Sequence, residues 1–278
     1  MIDRIRHCCI ARRALWTTAA LLLAGPAGAD DAAAETDAAA KGRAIAERAW
    51  ERGEGYGDLK ADVEMTIITG SGQQATRDMR IRLLEMPGEA SRALTRVEAP
   101  RDVAGTALLT HTGDDGDVQQ WLYLPAASRT RRISSENRSG SFMGSEFSFD
   151  DFAAQPPSRY RFAHLRDETV DGMRCHVLRR EPVEDDRPGY QHAWLDTEHL
   201  QLRRVEYHDA RGDITRVLTV GEYETFEGAD GGTYRRAQFL RMENQRTGAA
   251  SELRWSGIAL DTGLSERDFD VAALSRRR

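Results

Sequence analysis

Cysteine is scarce in this 278-residue chain, and what there is cannot build a disulfide framework. Cys8 and Cys9 precede the first apolar run, which leaves Cys175 as the single thiol beyond it. One thiol closes no internal bridge, so an oxidising compartment is tolerated rather than exploited. Long apolar runs are missing too. The most apolar stretch, Ala14 to Ala24, is far shorter than the roughly 20 residues a bilayer requires, so a membrane-spanning chain is not expected. Positive charge is not in excess: 39 Lys+Arg stand against 45 Asp+Glu, for a formal net charge of -6. That balance argues against nucleic acid as a partner, because a basic face is needed to neutralise phosphates. Gly, at 24 residues, is too sparse and aperiodic for a fibre, while an apolar fraction of 40% is too high for a disordered chain. No G-x-S-x-G elbow, P-loop or G-x-G-x-x-G is present, and no cofactor is expected.

What the N-terminus does contain is an address. Arg4, Arg6, Arg12 and Arg13 precede the apolar run, and Ala27-Gly28-Ala29 follows it. That is the layout of a cleavable secretory signal peptide over residues 1–29. Losing Asp3 and four arginines with it would make the exported chain more acidic still. Residues 30–40, rich in Ala and Asp with little to bury, read as a flexible tail, and residues 41–278 as a single domain.

From Lys41 to Arg52 helix formers dominate, with Ile45, Ala49 and Trp50 on one face. Beyond Gly57 the pattern turns to strands. Leu59, Ala61, Val63, Met65 and Ile67 alternate with polar residues, Gly70-Ser71-Gly72 turns the chain, and Met79, Ile81 and Leu83 return. Further strands are expected over 92–98, 106–111, 118–124, 129–133, 158–164, 173–181, 189–195, 201–208, 213–221, 233–244 and 250–258. Ser265 reads as the N-cap of a short terminal helix carrying Phe269, Val271 and Leu274. The fold class is therefore mainly β with a few helices: one curved antiparallel sheet, since so many strands must curl. Strand pattern alone leaves barrel, sandwich and half-open barrel as alternatives.

Candidate site residues concentrate in one region. Phe142, Phe147, Phe149 and Phe152, beside Met143, crowd a segment interrupted by Gly140, Gly144 and several serines. A loop this apolar either plugs the end of the sheet or forms a flap over an opening. Trp121 and Tyr123 share one strand face, with Leu122 and Leu124 on the other, so both faces are covered and one pair belongs either to the core or to a cavity wall. Arg129, Arg131, Arg132 and Arg138 form a basic cluster, either a solvated face or a contact for an anionic headgroup or membrane partner. Elsewhere the chemistry is thin. Asp114, Asp115 and Asp117 lack calcium-loop spacing and read as a hairpin turn. His192, Asp196 and His199 come nearest to a ligand set but lack zinc spacing, so no metal site is expected. Cys175 alternates with Met173 and Val177 as a buried thiol would. No catalytic set assembles, and the reading is that the chain is not an enzyme.

One ordered set of segments resembles a known family. It comprises VEAPRDVAGTALL (97–109), WLYLP (121–125), RTRRI (129–133) and FMGSEFSFDDF (142–152). These are similar to the LolA-like outer-membrane lipoprotein-sorting proteins, in the exported branch often associated with RND-type exporters, with a match running roughly from 41 to 276. The resemblance implies a half-open β-barrel closed by helices over an apolar cavity. It also implies a monomeric periplasmic carrier of a lipid or of lipoprotein acyl chains, with an inner-membrane RND-type transporter as partner. The alternative is a sensor or accessory module that uses the same fold to bind a protein.

Overall fold

The computed structural model describes residues 27–183, 189–229 and 231–275. Residues 1–26, and with them almost all of the expected leader, lie outside the described residues. The described part opens with helix α1 (Ala27–Glu51), so the stretch 30–40, expected as a loose tail, forms helical turns. The physical reason is its alanine content, which extends a helix once a nucleus further along is held by packing.

Thirteen strands follow: β1 (Asp58–Ile68), β2 (Gln74–Glu85), β3 (Ser91–Ala99), β4 (Ala107–Thr112), β5 (Val118–Leu124), β6 (Arg129–Ile133), β7 (Tyr160–Val170), β8 (Met173–Pro182), β9 (Tyr190–Asp196), β10 (Leu202–His208), β11 (Ile214–Glu227), β12 (Thr233–Asn244) and β13 (Ala250–Leu260). They form one antiparallel sheet in the order β6-β5-β4-β3-β2-β1-β13-β12-β11-β10-β9-β8-β7. Each neighbour in the sheet is a neighbour in sequence, except where β1 meets β13, with Val63 opposite Trp255 and Met65 opposite Leu253. That one non-local pairing joins two wings. The outer edges, β6 and β7, do not pair, so the sheet is curved but not closed.

Curvature follows from the core. Val63 and Met65 (β1), Met79 and Ile81 (β2), Leu108 (β4), Leu178 (β8), Val205 (β10), Val220 (β11) and Met242 (β12) all belong to one buried cluster. Strands from both wings can share one cluster only if the sheet wraps around it. Among the described residues a single α-helix covers it rather than several: Ile45 and Ala46 of α1 enter the cluster. Gly42 permits the approach, since a Cβ there would stand 2.7 Å from the Ala163 carbonyl carbon of β7. No helix among the described residues is long and apolar enough to cross a membrane.

The terminal segment forms two short 3-10 turns, Glu266–Phe269 and Val271–Ala273, instead of one helix. Ser265 is its cap as expected, in a reciprocal box with Asp268.

Candidate functional site

The segment 134–159 joins the two unpaired edges of the sheet, and its aromatic residues turn inward. Phe142 and Phe147 are 1% and 2% exposed and belong to the central cluster; Met143, Phe149 and Phe152 pack on it half-buried. Phe142 lies 4.5 Å from Phe152 and 5.8 Å from Phe149, centroid to centroid, the latter edge to face. Phe142 N–H donates to the Phe147 carbonyl, and Met143 (φ 55°) and Gly144 (φ 78°) make the left-handed corner between them.

This segment is strapped to both wings. On the first, Gln120 Nε2 of β5 donates to the Phe149 carbonyl at 2.7 Å, and Arg138 Nη1 donates to the Val118 carbonyl at 2.9 Å. On the second, Arg216 Nη1 of β11 meets Asp151 Oδ2 and the Glu146 carbonyl, both at 3.0 Å. Asn244 Nδ2 donates to Glu146 Oε2, and Glu146 N–H donates to Ser251 Oγ. Tyr207, half-buried, donates its hydroxyl to Asp151 Oδ1 at 3.3 Å, and desolvation first and then that carboxylate push its phenol up. Asp150, the neighbouring carboxylate, pairs instead with Arg159 at 2.8 Å. The segment is a hydrogen-bonded plug.

Two chambers remain beside it. One, of about 580 Å³, is lined by Phe147 and Phe152 of the plug, Ile81, Leu83 and Thr95 of β2 and β3, and Leu218, Leu240, Met242, Leu253 and Trp255 of β11 to β13. The other, of about 700 Å³, lies beneath α1 between Ala46, Ala49, Phe162, Leu178, Leu195, Leu200 and Tyr223. Trp50, Gln155, Arg180 and Leu202 line both, and so form a neck between them. Arg180 is held there by the Tyr160 ring face, 4.9 Å away, and by Gln191 Oε1 at 2.6 Å. At the rim of the first chamber Glu54 is pushed up to about 8, by burial first and then by its hydrogen bond to the Glu85 carboxylate.

The sequence-derived candidates divide. Phe147 and Phe152 line a chamber; Phe142, Met143 and Phe149 support them from within the plug. Trp121 and Tyr123 do not reach either chamber. They pack on Leu94, Ala107 and Leu109 under Phe269 and Leu274, on the opposite face of the sheet. That face is apolar because the terminal turns cover it. Arg138 leaves the basic cluster, being 2% exposed and bonded to β5. Arg129, Arg131 and Arg132 are exposed on edge strand β6, where alternation sets Arg132 on the opposite face from the other two. Trp50, Arg180, Leu202 and Tyr223 were not singled out as lining residues. Arg180, Leu202 and Tyr223 lie on strands and Trp50 on α1, and neither period by itself says which face meets a void.

A family model described as an uncharacterized protein matches residues 89–276. No curated protein matches the chain. Among solved structures, a domain from Vibrio parahaemolyticus described as an outer-membrane lipoprotein-sorting protein is 40% identical, with a TM-score of 0.81, covering 86% of this chain and 100% of its own. A DUF1329 family protein from Desulfovibrio piger is 27% identical with a TM-score of 0.78, covering 85% and 99%. A LolA superfamily protein from Nitrosomonas europaea, 17% identical with a TM-score of 0.67 over 83% and 98%, shares the fold.

Proposed function

The chain belongs to the outer-membrane lipoprotein-sorting, LolA-like family, and from that premise we propose that it is a periplasmic carrier of a lipid or of lipoprotein acyl chains. The observation that carries this reading is the pair of adjoining apolar chambers inside a sheet whose edges stay apart. Each has the volume typical of a small-molecule site, and together they offer an acyl chain a largely apolar path that passes Trp50 and Leu202 at the neck, beside Gln155 and Arg180. The sheet acts as a half-open barrel, α1 covers the second chamber, and the plug closes the gap between the edges. Binding needs no covalent step, because each buried methylene contributes about 0.8 kcal/mol. Release then requires the covering elements to shift at a partner. The exposed Arg129, Arg131 and Arg132 on the open edge suit an acidic docking surface, and the family resemblance points to an RND-type inner-membrane transporter.

The test is native mass spectrometry of the protein purified from its envelope, followed by solvent extraction and lipid analysis. A bound acyl species is expected, and it should disappear in Leu202→Glu, which places a charge at the neck, while circular dichroism stays unchanged. A wild-type mass without ligand that persists after incubation with phospholipid vesicles would overturn the carrier reading.

A further inference from the structure

On β9 and β10, away from the inward-facing Ala193 and Val205, three ligand-type side chains converge. His192 stands directly opposite Glu206 across the strand pair, and His208 is two residues beyond Glu206 on the same face. One nitrogen of each imidazole and one oxygen of the carboxylate lie within 4.8 Å of one another. The imidazole rings of His192 and His208 are 4.6 Å apart, and His208 Nε2 is 3.7 Å from Glu206 Oε2.

His208 is the decisive residue. Its side chain is 8% exposed, and its Nδ1 faces the Gly212 carbonyl at 3.1 Å, which makes Nδ1 the protonated nitrogen. In the neutral ring Nε2 then carries the lone pair. It is buried with no hydrogen-bond partner, and the nearest carboxylate oxygen is too distant for a hydrogen bond. Stacking on Tyr190 at 4.5 Å and 10° fixes the ring in this orientation. Glu206 is also oriented from behind: Oε1 accepts from Arg204 Nε and Nη2, which leaves Oε2 toward His208. Among the described residues neither nitrogen of His192 has a hydrogen-bond donor or acceptor, only ring contacts with Tyr190, Trp194 and His208. Three lone pairs thus point into one space, each side chain but one held by a supporting partner, as metal ligands are.

We propose that His192, Glu206 and His208 bind a transition-metal dication of the zinc type. Two imidazoles and one carboxylate suit such an ion and leave a fourth position for water. The surrounding charge permits it. The nearby guanidinium groups are each matched to a carboxylate, Arg204 to Glu206, Arg179 to Glu181 and Arg166 to Glu168. The other histidine cluster, His164, Asp167 and His176, differs in this respect. There Asp167 Oδ1 already bonds both rings, at 2.9 and 2.7 Å, so no lone pair is left facing another. The ion would clamp β9 to β10 at the border of the first chamber, whose lining includes His208 and Tyr190.

The experiment is calorimetric titration of ZnCl2 into full-length protein stripped with EDTA. One zinc per chain is expected at the tight step. His208→Gln should weaken it by more than about 100-fold, beyond the 10–100-fold that loss of a supporting partner costs. His176→Gln should leave it unchanged. If His208→Gln melts early in EDTA, His192→Gln supplies the same comparison. Unchanged affinity in a folded His208→Gln or His192→Gln variant, or no tight step in the wild type, would overturn the proposal.

Discussion

Two aromatic clusters in this protein look alike by burial and differ in everything else. Phe142 in the plug and Phe269 in the terminal turns are each 1% exposed. Phe269 packs with Leu274, Trp121 and Tyr123 on the outer face of β3 to β5, where His111 Nε2 meets the Phe269 carbonyl and Arg96 Nη2 donates to the Leu274 carbonyl. That cluster seals a sheet face and lines neither chamber. Phe142 instead belongs to a segment with irregular backbone, tied by side chains to both wings and bordered by empty volume. Burial of an aromatic residue therefore says nothing by itself about binding. A binding element is marked by apolar surface on non-repetitive backbone beside a chamber, because that surface can shift without breaking a strand ladder.

The sharpest way to break this contrast is to truncate each cluster. Phe142→Ala should cost about 3–5 kcal/mol, the usual range for a fully buried phenylalanine, and Phe269→Ala should fall at the lower end because the terminal turns can settle into the space. Chemical denaturation measures both. Lipid retention should fall in Phe142→Ala, whose loss lets the plug relax into the chamber, and persist in Phe269→Ala. Equal loss of lipid in both variants would erase the distinction.

A smaller effect is expected at the strap. Arg216→Met removes the partner of Asp151 and should cost about 1–3 kcal/mol, less than for a fully buried pair, because the two side chains keep 24% and 14% exposure. Adding Asp151→Asn should recover part of that loss, as coupled neighbours do in a double-mutant cycle. Additive losses would mean that the two residues do not hold the plug together.

The most local effect is a pH dependence confined to the chamber side. Glu54 is raised from 4.5 to about 8 in the folded protein, so the folded state holds a proton that the unfolded chain gives up. Its contribution to stability is then present in full below about pH 4.5 and lost as pH rises through 8. Melting temperatures of Glu54→Gln should therefore decline less than those of the wild type across that window. Parallel curves would place the Glu54–Glu85 contact outside the titrating set.

Much of the sheet was legible residue by residue. Arg129–Ile133 and Thr233–Asn244 fall at the expected limits, and most other strands lie within two residues of theirs at their first residue, because period-two alternation and Gly/Asp turns are local signals. The helix face of Ile45 and the cap at Ser265 were legible for the same reason. The candidate site was legible in half. The aromatic plug announced itself by composition, whereas Trp121 and Tyr123 were assigned to their strand face correctly but that face lies outside. Likewise His192 drew attention, but beside Asp196 and His199 in sequence rather than Glu206 and His208 across the strands. Asp196 is occupied by Arg203 at 2.9 Å and by the His199 backbone N–H.

The amino-acid order by itself determined which stretches are strands, which side chains share a face, and that one irregular aromatic segment interrupts them, since each depends on neighbours a few residues apart. Only the tertiary structure decided which face is inside. That choice rests on the pairing of β1 with β13 and on the curl it imposes, through which α1 and the plug cover one face and the terminal turns the other. A strand carries no local information about the direction in which its sheet will curve; that direction is chosen by whatever distant segment buries the larger apolar surface.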